Sequence, residues 1–201
     1  MNEKKPEKIL QVFNSKVGLH GFVVIDNTFR GIAKGGLRMT PTISVEEVCR
    51  LAEVMTYKCA LVELPFGGGK AGIVFDSQKH DKTQLLIKFG QMIRSICPSE
   101  YCSAPDIGTG EAEMAILANA VGSKKACTGK PVSMNGIPHE LGSTGYGVAL
   151  TADLFIKKLG IKTPRIAIDG FGNVGSFAAK FLDKRGYMVV AVSDSSGCVY
   201  N

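Results

Sequence analysis

Arg165-Ile-Ala-Ile-Asp169 is an apolar run that leads without a break into Gly170-Phe-Gly172-Asn-Val-Gly175. Phe177, Ala178, Phe181 and Leu182 then recur at helical spacing, and a second apolar run, Tyr187 to Val192, ends at Asp194. Strand, glycine turn, helix and strand in that order form a βαβ unit, whose crossover sets the two strands parallel and calls for a layered α/β fold. GxGxxG alone is a weak signal, but in this position each glycine has its own task. The first makes the tight turn, the second admits a pyrophosphate to the backbone, and the third lets helix and strand pack closely. The anion would rest on the positive end of the helix. Asp194, 19 residues beyond Gly175, stands where an acid can hold an adenosine ribose. Gly170, Gly172, Asn173, Val174, Gly175 and Asp194 are therefore the cofactor-binding candidates, against the plainer reading of a glycine turn in an unrelated α/β protein.

Strands and helices alternate upstream as well, which extends the α/β reading to the whole chain. Gly21 to Asp26 reads as a strand, and Ser44 with Glu47 as a capping box that opens a helix. Val48, Leu51, Ala52, Met55, Cys59 and Val62 give that helix one buried stripe. Ala71 to Phe75 is a second strand, Thr83 to Ile96 a second helix and Glu100 to Ser103 a short third strand. Glu111 and Glu113 follow Thr109 in the first turn of another helix, where acids suit the helix dipole. Val121 to Pro138, rich in Gly, Lys, Ser and Pro, reads as a linker or long loop, so the expected domains are 1–138 and 139–201. Thr144 to Leu159 is a helix with Lys157 and Lys158 in its last turn and Gly160 as its stop.

Composition narrows the function classes. A chain of 201 residues, 45% hydrophobic and 21% charged, can bury a real core in one large or two small domains. It holds no apolar run long enough for a signal peptide or a membrane span, and the expected compartment is the cytoplasm. The six cysteines form no CxxC and the three histidines are scattered, so no metal site is expected and the thiols read as reduced and mostly buried. The net charge of +6 is spread along the chain instead of forming a basic block, which weakens a nucleic-acid partner and leaves room for anionic small molecules.

Leu61 to Phe75, LVELPFGGGKAGIVF, puts a lysine between two apolar runs. It is not a phosphate-binding P-loop: GxxxxGK[ST] needs glycine where Leu64 stands and Ser or Thr where Ala71 stands. The glycines are instead expected to be a flexible lead that lets Lys70 point from the lip of a strand into a cleft. Lys58, twelve residues earlier, projects into the same cleft or snorkels at the edge of its helix stripe. Two close ammoniums disfavour each other's charge, so one of the pair can act as a base near neutral pH. Lys34 precedes another double glycine in Ala33-Lys-Gly-Gly-Leu-Arg38, and the repeated grouping suggests an anionic substrate held by several ammoniums.

AKGGLRM, MTYKCALVELPFGGGKAGI, SAPDIGTG, STGYGV and IDGFGNVG, in that order, resemble the glutamate/leucine/phenylalanine/valine dehydrogenase family, most closely the members acting on glutamate. The resemblance runs from about Gly18 to Asn201. It implies reversible oxidative deamination of an L-amino acid to a 2-oxo acid and ammonia, with NAD or NADP taking the hydride. Lys70 matches the catalytic lysine that activates the attacking water, and Asp106 the aspartate that moves protons to and from the substrate nitrogen; the other account of Asp106 is an Asx turn before the next helix. Lys58 matches the α-carboxylate ligand, with Met55 lining the substrate and Pro105 touching it through the backbone. Lys34 matches the residue that reads the substrate side chain, a lysine where glutamate is the substrate. Thr144 matches the threonine near the nicotinamide amide. A homo-oligomer, a hexamer built through the substrate and oligomerisation domain, is implied, with the active cleft between the domains.

Two features depart from the family pattern. Gly18 to Arg30 is more like the N-terminal region of leucine dehydrogenases, so a branched-chain or aromatic substrate stays open. The chain also stops after the first βαβ of the dinucleotide-binding (Rossmann) domain, where relatives continue. It is expected to be either a fragment of a working enzyme or a short, non-catalytic homologue. Asp194 tilts the cofactor towards NAD, and Ser195 and Ser196 leave NADP possible.

Overall fold

The computed structural model describes residues 5–137 and 141–201, in two compact units, Met1–Pro138 and His139–Asn201. The first is built on a five-stranded sheet in the order β1-β2-β4-β3-β5. Its strands are β1 (Lys8–Asn14), β2 (Leu19–Asn27), β3 (Ala33–Thr40), β4 (Gly67–Val74) and β5 (Tyr101–Pro105). β1, β2 and β4 pair antiparallel, and β3 runs parallel to both β4 and β5.

Side chains alternate across a strand, so each strand feeds two layers. Val23 and Ile25 of β2, Ala33, Leu37 and Met39 of β3, and Ala71 and Ile73 of β4 face α2 (Lys82–Met92) and α3 (Glu111–Val121), which bury Leu85, Leu86, Phe89, Met114 and Leu117 against them. On the other face Phe22 and Val24 pack with Ile43 and with Val48 and Ala52 of α1 (Val45–Leu61). Ser44 caps α1 by accepting from the Glu47 amide at 3.3 Å, while the Glu47 carboxylate is engaged by Arg38, so only half of the expected capping box forms as such. The expected stripe is buried at Val48, Ala52 and Cys59, but Val62 is 62% exposed because the helix has already ended at Leu61.

The glycines before Lys70 are not a flexible lead. They lie inside β4, and a methyl group on Gly68 would stand 2.0 Å from Thr56 Oγ1 and 2.5 Å from the Ala52 carbonyl, so glycine is what lets α1 lie directly on the strand. The stretch read as a linker is also mostly structured. Two 3-10 turns, Lys124–Ala126 and Val132–Met134, follow α3, Ala126 and Cys127 are buried, and Cys127 bridges Ser103 of β5; Pro138 lies outside the described residues. α2 ends at Met92, short of the expected Ile96, although Ile93 and Ile96 remain buried.

The second unit holds α4 (Ser143–Lys158), β6 (Arg165–Asp169), α5 (Asn173–Asp183), β7 (Met188–Asp194) and β8 (Gly197–Tyr200). β6 and β7 pair parallel, and β8 adds an antiparallel third strand not anticipated from the sequence. α4 and α5 pack through Tyr146 edge-on to Phe181, with ring centroids 5.3 Å apart. Tyr187 donates to Asp153 Oδ1 at 2.5 Å and Lys157 pairs with Oδ2 at 2.9 Å, which ties α4 to the start of β7.

Candidate active site

Strand periodicity gathers the charged candidates of the first unit on one face of its sheet. Lys34 and Arg38 are four apart on β3, Lys34 pairs with Gly68 and Cys102, and Lys70 and Asp106 follow those partners at even spacing on β4 and at the end of β5. Lys70 Nζ lies 3.0 Å from Asp106 Oδ2, and the lysine is only 6% exposed. Burial lowers the Lys70 pKa from the ordinary lysine value; the Asp106 carboxylate opposes this, and the charges of Arg38 and Lys58 add to the lowering. The expected effect of the second ammonium is thus present but small, and burial is the larger cause.

Burial pushes the Asp106 carboxyl up, but Arg38 and Lys70 outweigh it and hold the group below the usual carboxylate range. Arg38 donates from Nε to Asp106 Oδ2 at 2.8 Å and from an amino group to Glu47 Oε1 at 2.7 Å. The turn after β5 is fastened without the Asp106 side chain. The Asp106 amide donates to Thr109 Oγ1 at 2.9 Å, and that hydroxyl donates to the Leu37 carbonyl at 2.8 Å, so the carboxylate is not consumed in an Asx turn. Gly36 makes room for it, since a methyl group there would stand 2.7 Å from Asp106 Cβ.

Lys34 Nζ donates to the Ser103 carbonyl at 2.9 Å, and burial, helped by the nearby charge of Lys130, lowers its pKa. Lys130 is itself buried, its ammonium donating to the Cys127 carbonyl. Lys58 is exposed on the last turn of α1, Met55 one turn earlier is half-buried, and Pro105 is half-buried beside Asp106. The fold therefore brings Lys34, Lys70 and Asp106 to one sheet face, with Met55 and Lys58 on the helix that covers it. Pro105, in contrast, pairs with Leu37 and belongs to the opposite face, so it can meet that site only through its backbone.

The remaining candidates lie in the second unit. Gly170 has φ +91°, a backbone conformation that favours glycine, and makes the turn out of β6. A methyl group on Gly172 would meet nothing within 4 Å, so the backbone there is open to a ligand. A methyl group on Gly175 would stand 1.9 Å from the Gly170 carbonyl, so α5 and β6 approach as closely as they do only with glycine. Asn173 and Val174 begin α5, whose first amides fit an anion such as a dinucleotide pyrophosphate. Thr144 is exposed in the first turn of α4. Asp194 Oδ1 accepts from the amides of Ser196 and Gly197 at 2.7 and 3.2 Å, closing the β7–β8 hairpin. Among the described residues no His, Cys, Asp and Glu group could hold a metal ion, and no helix is long and apolar enough to cross a membrane.

The profile of the Glu/Leu/Phe/Val dehydrogenase dimerisation domain matches residues 6–123, and that of Glutamate/Leucine/Phenylalanine/Valine dehydrogenase matches residues 136–201. The chain belongs to this dehydrogenase family. It is 40% identical over 192 residues to the mitochondrial glutamate dehydrogenase of Dictyostelium discoideum, an alignment covering 84% of the chain and 38% of the relative. It is 37% identical over 214 residues to the NADP-specific glutamate dehydrogenase of Saccharolobus shibatae, covering 97% of the chain and 51% of the relative. The structure superposes on a hetero-hexameric glutamate dehydrogenase from Thermus thermophilus, in a Leu-bound form, with a TM-score of 0.82 and 28% identity, over 98% of this chain and 52% of that one. The chain thus spans about half the length of the dehydrogenases it matches, or less.

Sequence reasoning missed Arg38, which holds the Asp106 carboxylate, Glu47, which holds Arg38, and Thr109, which fastens the Asp106 backbone. Arg38 was findable: it stands four residues after Lys34 in the same strand motif, on the same face. Glu47 was not, because its position after Ser44 is explained as well by helix capping.

Proposed function

We propose that the complete protein carrying this sequence is a dehydrogenase that deaminates L-glutamate oxidatively and reversibly, giving 2-oxoglutarate and ammonia. The 3.0 Å contact between the mostly buried Lys70 and Asp106 carries this reading, because it sets a low-pKa amine and a carboxylate side by side as a proton-transfer pair. NAD or NADP, held on the Gly170–Gly175 turn with Thr144 near its amide, accepts the substrate hydride when bound. The residues of this chain do the rest. Lys58 binds the α-carboxylate, and Met55 and the Pro105 backbone line the substrate. Asp106 takes a proton from the substrate nitrogen and returns one to the departing ammonia. Lys70 removes a proton from the water that attacks the imine carbon. Asp194 favours NAD by accepting from the ribose hydroxyls, whereas one relative is NADP-specific, so both cofactors belong in the assay.

Glutamate is proposed on account of Lys34. Among the described residues its ammonium makes one hydrogen bond, to the Ser103 carbonyl, which leaves two N–H groups to offer a γ-carboxylate. The second reading, an apolar substrate such as leucine or valine, follows if that carbonyl is all that Lys34 serves. The expected result is a wild type that prefers glutamate. Lys34→Leu should cut kcat/KM on glutamate by about 10- to 100-fold, or about 1.4–3 kcal/mol, and bring leucine and valine towards parity. Assaying both proteins on glutamate, leucine, valine and phenylalanine with each cofactor tests this, and a wild type preferring leucine with no shift in the variant defeats it. The dimerisation-domain match supports a homo-oligomer built through the first unit, and a hetero-hexameric structural relative supports six subunits. Light scattering on the complete protein checks it, and a clean monomer argues against it. The cytoplasm is the proposed compartment, where the cysteines stay free thiols.

A further inference from the structure

Both cations at Asp106 bear on one oxygen. Arg38 Nε reaches Oδ2 at 2.8 Å and Lys70 Nζ reaches the same Oδ2 at 3.0 Å, while Oδ1 accepts no hydrogen bond from the described residues. A carboxylate that carries a proton between two groups needs a fixed orientation and one lone pair that remains available. Arginine suits the first requirement, because its planar fork sets direction and it stays charged at every relevant pH. The far side of the fork is fixed in turn by Glu47 Oε1 at 2.7 Å, on the first turn of a helix packed against the sheet. Arg38 is not spare surface charge: its side chain is 18% exposed, and that of Glu47 32%.

We propose that Arg38, oriented by Glu47, is a positioning residue for the proton-transfer pair, fixing Oδ2 of Asp106 and leaving Oδ1 as the oxygen that exchanges a proton with the substrate nitrogen. This rests on the reading of Lys70 and Asp106 given above. The charged groups that bear on Asp106 are Arg38 from β3 and Lys70 from β4; from α1, Glu47 pairs with Arg38 and the charge of Lys58 acts on Lys70. Arg38 lowers the pKa of both Asp106 and Lys70, so its loss must raise both, and the pair then reaches its working ionisation at higher pH. Glu47 offsets the Arg38 charge, so its loss acts in the opposite sense.

The test is made on the complete protein. In Arg38→Met the acid limb of the kcat/KM profile should move up by about one pH unit, with kcat down about 100-fold. In Arg38→Lys the charge persists without the fork, and the limb should stay near that of wild type while kcat falls about tenfold. In Glu47→Gln the limb should stay or move down. Carboxyl-carbon NMR on the aspartate-labelled protein, with Asp106 assigned through Asp106→Asn, follows the same ionisation without turnover. Its midpoint should rise in Arg38→Met and not in Glu47→Gln. An unmoved midpoint in a folded Arg38→Met, or a rise in Glu47→Gln should Arg38→Met fail to fold, overturns the proposal. A wild type that shows the midpoint pattern but deaminates no amino acid leaves Arg38 as the orienting group of Asp106 and defeats the dehydrogenase reading instead.

Discussion

In the complete protein, on the proposed function, Lys70→Ala is expected to lower kcat for amino-acid deamination by about three to four powers of ten, with the KM for NAD or NADP within about twofold of wild type. A positioned general base contributes about 10²- to 10⁴-fold, and here loss of the base also removes one of the two cations on Asp106. The cofactor turn lies on other elements, so its affinity has no reason to follow. The fold should survive: Arg38 still pairs with Asp106, and alanine suits the small-residue context of β4. Initial rates across substrate and cofactor concentrations measure both quantities. A variant retaining a tenth of wild-type turnover removes Lys70 from the mechanism. Because burial lowers the Lys70 pKa, wild-type activity should rise with pH through that pKa as the free amine forms, and any residual activity of the variant should lack that dependence.

Gly35→Ala is expected to cost stability on a scale that threatens folding of the first unit. A methyl group there would sit 1.6 Å from the Gly69 carbonyl oxygen and 2.6 Å from its carbon, both backbone atoms of β4 that no rotamer change can move. Relief requires separating β3 from β4 in the middle of a sheet where β3 is paired on both sides, and the same movement would take Lys70 away from Asp106. The loss should exceed about 4 kcal/mol, in the range reserved for overpacking and backbone collision. Gly172→Ala is the control, because its methyl group meets nothing within 4 Å and should change stability by about 1 kcal/mol at most. Urea unfolding of the three proteins gives the comparison; equal midpoints for Gly35→Ala and wild type would show that the sheet accommodates the methyl group.

The same glycines explain what was legible in the sequence. Helices with one apolar stripe, such as the Ser44-capped α1 and the glycine-led α5, and strands with β-branched residues, such as β6, announce themselves through periodicity. β3 does not: Ala-Lys-Gly-Gly-Leu-Arg-Met-Thr has poor strand propensity, and pairing with β4 and β5 makes it a strand despite that. β1 escapes for a related reason, since apolar residues at Ile9, Leu10, Val12 and Phe13 obscure the alternation. Lys34, Lys70 and Asp106 were legible as a set through motif resemblance. Their convergence was expected from that resemblance, but spacing alone does not give it, because it depends on the register of three strands, and an even number of steps from Lys34–Gly68 and Lys34–Cys102 is a property of pairing. The three-residue lead before Lys70 misled, since glycine admits close packing as readily as flexibility.

Asp194 already has a structural task before any cofactor binds. Oδ1 is taken by the amides of Ser196 and Gly197, so this end of the sheet is assembled by the acid proposed to read the ribose. A change of cofactor preference by replacing Asp194 with a neutral or basic residue would therefore also loosen the hairpin that positions β8. Asparagine is the conservative exception, keeping an acceptor for both amides while dropping the charge that repels a 2′-phosphate. If Asp194 reads the ribose as proposed, discrimination between cofactors and the fold of the strand that follows are one heritable trait.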